Sequence, residues 1–371
     1  MLGDRNIRRV LILRPGSLGD TVAALPCLHL VARLFPDAER CLLSTLPGST
    51  RAVSARAVLD GSALVTEYME VEYAAARYWL GEQMALRRRI RECKPQVLVY
   101  LTDPKSLPRT LAEAAFFWSC GIPRLVGVPL RKELRQHLWN PRAGRYEHEA
   151  ERLARCVAPL GDARPQDRAN WDLRLTAKEQ ERATKLVQAW PGREQFIALA
   201  VGARVEVKDW GLGNWQALAA RLAPKYRDYG LAMIGAVDEF DLAQRVSALW
   251  AGPTLNLCGR VSPRECAAVL QSAALFVGHD GGAMHLATSA GTRCVAVFSG
   301  HHKPGVWFPY GEGHRVLYHQ TPCYGCLLDT CERFNKQCIR SITVGEVAAA
   351  VEAALAERRP ETRMARNAAA G

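Results

Sequence analysis

Ala274-Leu-Phe-Val-Gly278-His-Asp280-Gly281-Gly282-Ala-Met-His285-Leu-Ala-Thr-Ser-Ala-Gly291-Thr-Arg-Cys-Val-Ala-Val-Phe298 is the stretch whose reading decides the fold. It reads as strand, turn, helix, turn, strand. Ala274–Val277 is a short apolar run, and Gly278-His-Asp-Gly-Gly282 is too rich in glycine to continue it. Met284, Leu286, Ala287 and Ala290 supply the buried side of a helix, and Gly291 is a natural stop. Cys294–Phe298 is a second buried strand. Such a unit belongs in a parallel sheet and sets a helix N-terminus at the carboxyl end of a strand. Unpaired N–H groups and the positive end of the helix dipole collect there, ready for phosphate. Gly281 and Gly282 let a ligand approach the backbone closely. Asp280 can accept bonds from sugar hydroxyls or merely cap the helix. The stretch alone leaves both readings open.

Working outward, the same alternation fills the chain. Before residue 129 it runs strand Val10–Arg14, helix Thr21–Phe35, strand Cys41–Ser44, helices Pro47–Asp60 and Tyr73–Cys93, strand Gln96–Leu101, and helix Leu107–Cys120. Residues 129–175 are less regular, with a helix at Glu147–Leu160. Thr176-Ala-Lys-Glu179 resembles a capping box and opens a helix to Trp190. Strands Phe196–Ala200, Gly230–Ile234 and Thr254–Cys258 then alternate with helices Trp215–Ala223, Glu239–Trp250 and Pro263–Ser272. The reading is α/β, with parallel sheets and crossover helices in two consecutive halves, 1–172 and 173–345. Residues 346–371 carry the end of a final helix and a basic tail without a core-forming pattern.

Composition narrows the partners. There are 371 residues, enough for two domains of ordinary size, with a net charge of +12. No apolar run is long enough to span a bilayer, and Val10–Leu13 stops at Arg14, unlike a secretory signal. The expected compartment is the cytoplasm. The positive charge favours nucleic acid, an anionic membrane face or acidic small molecules. No finger, helix-turn-helix or RNA-recognition signature accompanies it, so nucleic acid is not the expected partner. Arg77–Arg91, with Arg87-Arg88-Arg89, reads either as a solvated helix face or as an anion-binding one.

Three further clusters carry chemistry. Arg14-Pro-Gly-Ser17-Leu-Gly19-Asp20 lies in the first strand-to-helix turn. It lacks the G-x-G-x-x-G spacing of a dinucleotide site and the Gly-Lys-Ser/Thr of a Walker A loop. What remains is a carboxylate at a helix start, suited to a general base or to a cap. Gly202-Ala-Arg204-Val-Glu-Val-Lys208-Asp-Trp210 follows the first strand of the second half, and its two cations can hold a diphosphate. Trp210 and Trp215 read as packing. Cys323-x2-Cys326-x4-Cys331-x6-Cys338 has the look of a four-thiol structural metal site, against reduced thiols or a labile disulfide. His301, His302, His314 and His319 in the same region read as exposed loop residues, with no metal assigned to them.

Taken together these motifs resemble glycosyltransferase family 9, the ADP-heptose:lipopolysaccharide heptosyltransferase family, from about Arg9 to Val351. The carriers are Arg14-x2-Ser17-Leu-Gly19-Asp20-x4-Leu25-Pro26, Arg204-x3-Lys208-x-Trp210 and Gly278-x-Asp280-x-Gly282-x2-His285-Leu-Ala. The resemblance implies a GT-B architecture, two Rossmann-like domains facing across a cleft, with acceptor bound by the first and nucleotide sugar by the second. It implies inverting transfer without a catalytic metal or cofactor, from a donor such as ADP-heptose to an anionic glycolipid at the inner membrane leaflet. Asp20 would be the base, in a turn shaped by Ser17 and Gly19. Lys208 and Arg204 would take the diphosphate, Asp280 the donor sugar, and Gly281, Gly282 and His285 would complete the donor site. The acidic contact to the donor ribose falls near Asp238 or Glu239. Where many members carry Asp-Thr/Ser-Gly, this chain has Asp280-Gly281-Gly282. Two other functions compete with this one: the same chemistry on a protein hydroxyl, and a non-catalytic nucleotide-sugar or metal sensor.

Overall fold

The computed structural model describes residues 7–46, 53–72, 80–188, 190 and 195–357. The chain divides into two compact units, residues 1–176 and 177–371. The first is built on five parallel strands in the order β3-β2-β1-β4-β5: β1 Arg9–Leu13, β2 Glu39–Leu46, β3 Glu67–Glu72, β4 Val97–Tyr100 and β5 Arg124–Val126. β1 sits in the middle because RVLIL is buried on both faces, as a central parallel strand must be. Chain order reverses between β1 and β4. A two-stranded antiparallel ribbon, β6 Trp139–Asn140 with β7 Arg145–Tyr146, stands apart from that sheet.

The second unit has six parallel strands in the order β10-β9-β8-β11-β12-β13: β8 Phe196–Ala200, β9 Gly230–Met233, β10 Thr254–Asn256, β11 Leu275–His279, β12 Cys294–Phe298 and β13 Arg315–Tyr318. Its reversal lies between β8 and β11. The stretch 274–298 forms the expected unit: β11, a helix Gly282–Ala290 closed by Gly291 in the left-handed conformation (φ 83°), and β12. Thr343 and Glu346 cap the helix Val344–Ala356 reciprocally, and its Val347, Val351 and Leu355 join the core around Trp210 and Trp215.

Several boundaries differ from the sequence reading. The first helix is two, Leu18–Ala23 and Leu25–Leu34, because Pro26 opens a new helix in its first turn. β3 was not expected. Its sequence, EYMEVE, is that of an edge strand whose glutamates hide the pattern. β13 and the β6–β7 ribbon, in the loop-rich stretches, were also not expected. Glu179, in the first turn of the helix Ala177–Gln188, has its carboxylate on Arg264, Nε–Oε1 2.6 Å. The expected helices at 47–60 and 73–93 are described only from Ala55 to Leu59 and from Leu80 to Cys93, and the tail 361–371 lies outside the described residues.

Candidate active site

Both strand-order reversals leave a crevice at the carboxyl ends of their strands, the usual ligand position in a parallel sheet. In the second unit the residues at that edge come from β8 and β11. After β8 the chain makes a one-turn 3-10 helix, Glu206–Lys208. After β11 it passes through Asp280 and Gly281 into the helix at Gly282. Lys208 Nζ lies 2.7 Å from Asp280 Oδ2, and both side chains are largely buried. Burial alone would raise the Asp280 pKa. Lys208, His302 and His285 together outweigh it and hold the carboxyl below its usual range.

His279 locks this arrangement. Its Nε2 accepts from the Trp210 N–H at 2.9 Å, so Nδ1 carries the proton and donates to the Gly202 carbonyl at 3.1 Å. One ring therefore ties the end of β11 to both ends of the Lys208 loop. Burial pushes its pKa down to about 4, so it is neutral near pH 7. Trp210 and Trp215 pack edge-to-face at 4.8 Å, and Trp215 meets the His279 ring at 4.9 Å. The packing roles read for the two tryptophans hold.

Gly281 is extended (φ −158°), and a Cβ there would meet only the His279 carbonyl, at 4.0 Å. Its missing side chain leaves the helix N-terminus open. Gly202 is the opposite case. A Cβ there would overlap the Glu239 carboxylate, which also crowds Gly235 and accepts from the Ala236 N–H at 2.9 Å. Glu239 thus sits over the ends of β8 and β9, whereas Asp238 is exposed. His285 is buried and packs edge-to-face on Trp307 at 5.9 Å. Arg204 is exposed and enters no ion pair among the described residues, so the structure does not join it to Lys208 and Asp280.

In the first unit, Asp20 is the third residue of its helix. Its Oδ2 accepts from the Ser17 N–H at 2.7 Å and from Ser17 Oγ at 3.1 Å. Asp20 therefore completes a capping box with Ser17 as the N-cap, rather than capping a helix that begins at Thr21, and one-fifth of its side chain stays exposed. Gly16 makes the turn possible. Its φ is 119°, and a Cβ would stand 2.5 Å from Asp20 Cγ. Gly19 lies within that first helical turn. Arg14, 1 % exposed, reaches Asp20 Oδ1 and Asp103 Oδ1, each at 3.4 Å, and Glu149 Oε1 at 3.8 Å. Glu149 is fully buried between Arg152, Nη2–Oε1 2.6 Å, and His137, Nε2–Oε2 2.8 Å. Burial would raise the Glu149 pKa, but Arg152, His137 and Arg14 bring it to about 2. Asp103 goes the other way. The protein packed around its carboxyl and the Asp20 and Glu149 charges raise it to about 6 against the pull of Arg14 and Arg152, although half of its side-chain surface is open.

Sequence reasoning gave no role in the site to His279, His302, Asp103, Glu149, Arg152 or Lys336. Only the spacing of Glu149 and Arg152, three apart on a helix, held a signal. His301, expected to be exposed, is buried, with Nδ1 2.9 Å from the Leu328 carbonyl. His302 stands beside it, the two ring centroids 4.4 Å apart. The four clustered cysteines are unpaired, and among the described residues no three His, Cys, Asp or Glu side chains are grouped so as to hold a metal ion.

The model of glycosyltransferase family 9 (heptosyltransferase) matches residues 85–336, more than half of the chain. The chain belongs to glycosyltransferase family 9. It is similar to lipopolysaccharide heptosyltransferase 1 of Pseudomonas aeruginosa, 25 % identical over 340 residues covering 87 % of each chain. Among solved structures it resembles a family 9 glycosyltransferase of Veillonella parvula, with a TM-score of 0.70 at 15 % identity, covering 94 % of this chain and 98 % of that one. It also resembles the ADP-heptose lipopolysaccharide heptosyltransferase II of E. coli, TM-score 0.63 at 18 % identity, covering 94 % and 99 %. The fold is thus GT-B, and the protein is a heptosyltransferase-type glycosyltransferase.

Proposed function

We propose that this glycosyltransferase moves a heptose from ADP-heptose to a lipopolysaccharide-core-type acceptor, with inversion at the anomeric carbon. The observation that carries the donor half is the Lys208–Asp280 pair at the open N-terminus of the helix Gly282–Ala290. The ammonium and the free N–H groups suit a diphosphate, and the carboxylate suits sugar hydroxyls. Glu239, over the ends of β8 and β9, is the acidic contact for the ribose. The names of the related proteins support ADP-heptose as donor and lipopolysaccharide as acceptor.

The chemistry follows from these roles. Asp20 takes the proton of the acceptor hydroxyl as its oxygen bonds to the anomeric carbon. The bond from that carbon to the diphosphate oxygen breaks, and ADP leaves. Lys208 is drawn from Asp280 toward the charge growing on the leaving group, with Arg204 and His285 beside the donor. A neutral His279 keeps the Lys208 loop in place throughout. No cofactor is assigned a part.

Titrating purified protein with ADP, GDP, UDP and dTDP while following thermal unfolding tests the donor. ADP alone should raise the midpoint, since a ligand of the folded state stabilises it, and Lys208→Ala should remove the effect. A preference for another nucleotide sinks the ADP-heptose reading, and no response to any sinks donor binding and favours the metal-sensor function. Activity on a polypeptide but not on a lipid would favour a protein acceptor.

An acceptor at a membrane asks for an anion-seeking surface. The basic helix Leu80–Cys93 is a poor one: Arg87 and Arg91 donate to the Ser119 carbonyl, and Arg88 pairs with Glu92. The segment carrying the β6–β7 ribbon suits the task better. Leu130, Leu138 and Trp139 are exposed there, next to exposed Arg131, Lys132, Arg142 and Arg145, none in an ion pair among the described residues. Tryptophan and basic residues favour the headgroup region of anionic bilayers. The chain should therefore float with phosphatidylglycerol vesicles, and a Trp139→Ala, Arg142→Ala, Arg145→Ala variant should not. Equal flotation of both would remove this surface from the reading. No helix among the described residues is long and apolar enough to cross a membrane.

A further inference from the structure

The turn that carries Lys208 is too short to hold itself. A single 3-10 turn has few internal bonds, and its neighbours Gly202–Val205 and Asp209–Gly211 are irregular. Much of its support comes from a distant segment, residues 329–336. The Val207 N–H donates to the Asp329 carbonyl at 3.2 Å, and the Cys331 N–H to Glu206 Oε2 at 3.4 Å. The strongest link is Lys336. Its ammonium lies 3.2 Å from the Glu206 carbonyl, 3.2 Å from the Asp209 carbonyl and 2.8 Å from Glu206 Oε1. An ammonium has three protons, and here three acceptors meet it. That is what a lysine 9 % exposed requires, since burying an unmatched charge is costly.

Lys336 is itself fixed on both sides. It holds a left-handed conformation (φ 55°), its N–H donates to Cys331 Sγ at 3.3 Å, and its carbonyl accepts from the Ile339 and Arg340 N–H groups at 3.0 and 2.9 Å. A non-glycine residue keeps such a backbone only where its surroundings dictate it. The two carbonyls it grips belong to residues 206 and 209, one on each side of the Lys208–Asp209 peptide. The cation thus spans the turn rather than touching its edge.

We propose that Lys336 is a positioning residue for Lys208, holding the turn so that the Lys208 ammonium faces Asp280 and the phosphates at the helix N-terminus. This rests on the reading of Lys208 as the cation for the donor diphosphate. A lysine that merely fastened the cysteine-bearing segment would affect stability. One that sets Lys208 affects recognition of the second phosphate in particular. Lys208 then depends on two elements, its own loop and a segment more than a hundred residues away.

Calorimetric titrations with ADP and with AMP separate these roles, because only ADP brings the second phosphate. The wild type should prefer ADP, and Lys208→Ala should abolish the preference. Lys336→Met, close in length but uncharged, should lower ADP affinity about tenfold, with AMP affinity changed less than about twofold. Lys336→Arg, which restores donors, should recover part of the loss. Glu206→Gln weakens the grip through a half-exposed carboxylate without emptying the site, and should give a smaller fall in the same direction. That variant carries the test should Lys336→Met fail to fold. If Lys208→Ala abolishes the preference and the Lys336 and Glu206 variants keep it, or lose ADP and AMP affinity equally, Lys336 is a structural fastener and the proposal is wrong. If Lys208→Ala keeps the preference, or the wild type has none, the reading of Lys208 fails and takes the proposal with it.

Discussion

His279 shows how one side chain can build a site without meeting a substrate. Both ring nitrogens are used, one toward Trp210 and one toward Gly202, and only the neutral ring can make both bonds. The consequence is a pH dependence of known sign. The unfolded chain takes up the proton near pH 6.5, the folded protein only near pH 4. Stability from this residue is therefore complete above about 6.5 and is lost as pH falls toward about 4. His279→Gln does not titrate, so its urea midpoint should change less than that of wild type between pH 7.5 and 5, and equal slopes would refute this. Gly16 makes a second residue-scale case. With φ at 119° and Asp20 against its Cα, Gly16→Ala should destabilise by roughly 1–3 kcal/mol, read from denaturant unfolding at pH 7. Undiminished stability would mean the turn can relax.

At the scale of elements, the central strands were legible, and two of the edge strands, β3 and β13, were not. β1, β4, β8, β11 and β12 are runs of apolar residues, because a strand covered on both faces has no polar positions to spare. β3 and β13 carry Glu and Arg at sheet edges and gave no comparable signal. The glycine turn after β1 was legible too, because few other residues allow the path at Gly16 (φ 119°). The helix Glu149–Val157 was read correctly as a helix, but its most consequential face was not apolar. It buries Glu149 and Arg152 completely beside Arg14. Glu149→Ala leaves two buried guanidinium groups short of their carboxylate and should cost about 3–5 kcal/mol in chemical denaturation. The folded-state pKa is depressed from 4.5 to about 2. The stabilisation is thus present above about pH 4.5 and drains away toward pH 2. A cost well under 1 kcal/mol at pH 7 would show the cluster to be dispensable.

For the whole molecule, two units with their own sheets predict two separable responses. The Glu149 cluster belongs to the first unit and the Lys208–Asp280 site to the second. In a calorimetric scan, Glu149→Ala should lower one transition, and ADP should raise the other. A single transition moved by both would show that the units unfold as one. The sequence alone determined the α/β class and the alternation of strands and helices, and it placed Asp20, Lys208 and Asp280 just beyond strand ends. Each of these is written in local pattern, as apolar periodicity or as residue types a turn or a phosphate requires. Tertiary structure alone decided which charges are buried together, that His279 closes the Lys208 loop, and that Lys336 reaches back to hold it. These depend on strands and loops from distant parts of each unit meeting within it. A lone histidine or lysine in a sequence carries no mark of the carbonyls it will meet.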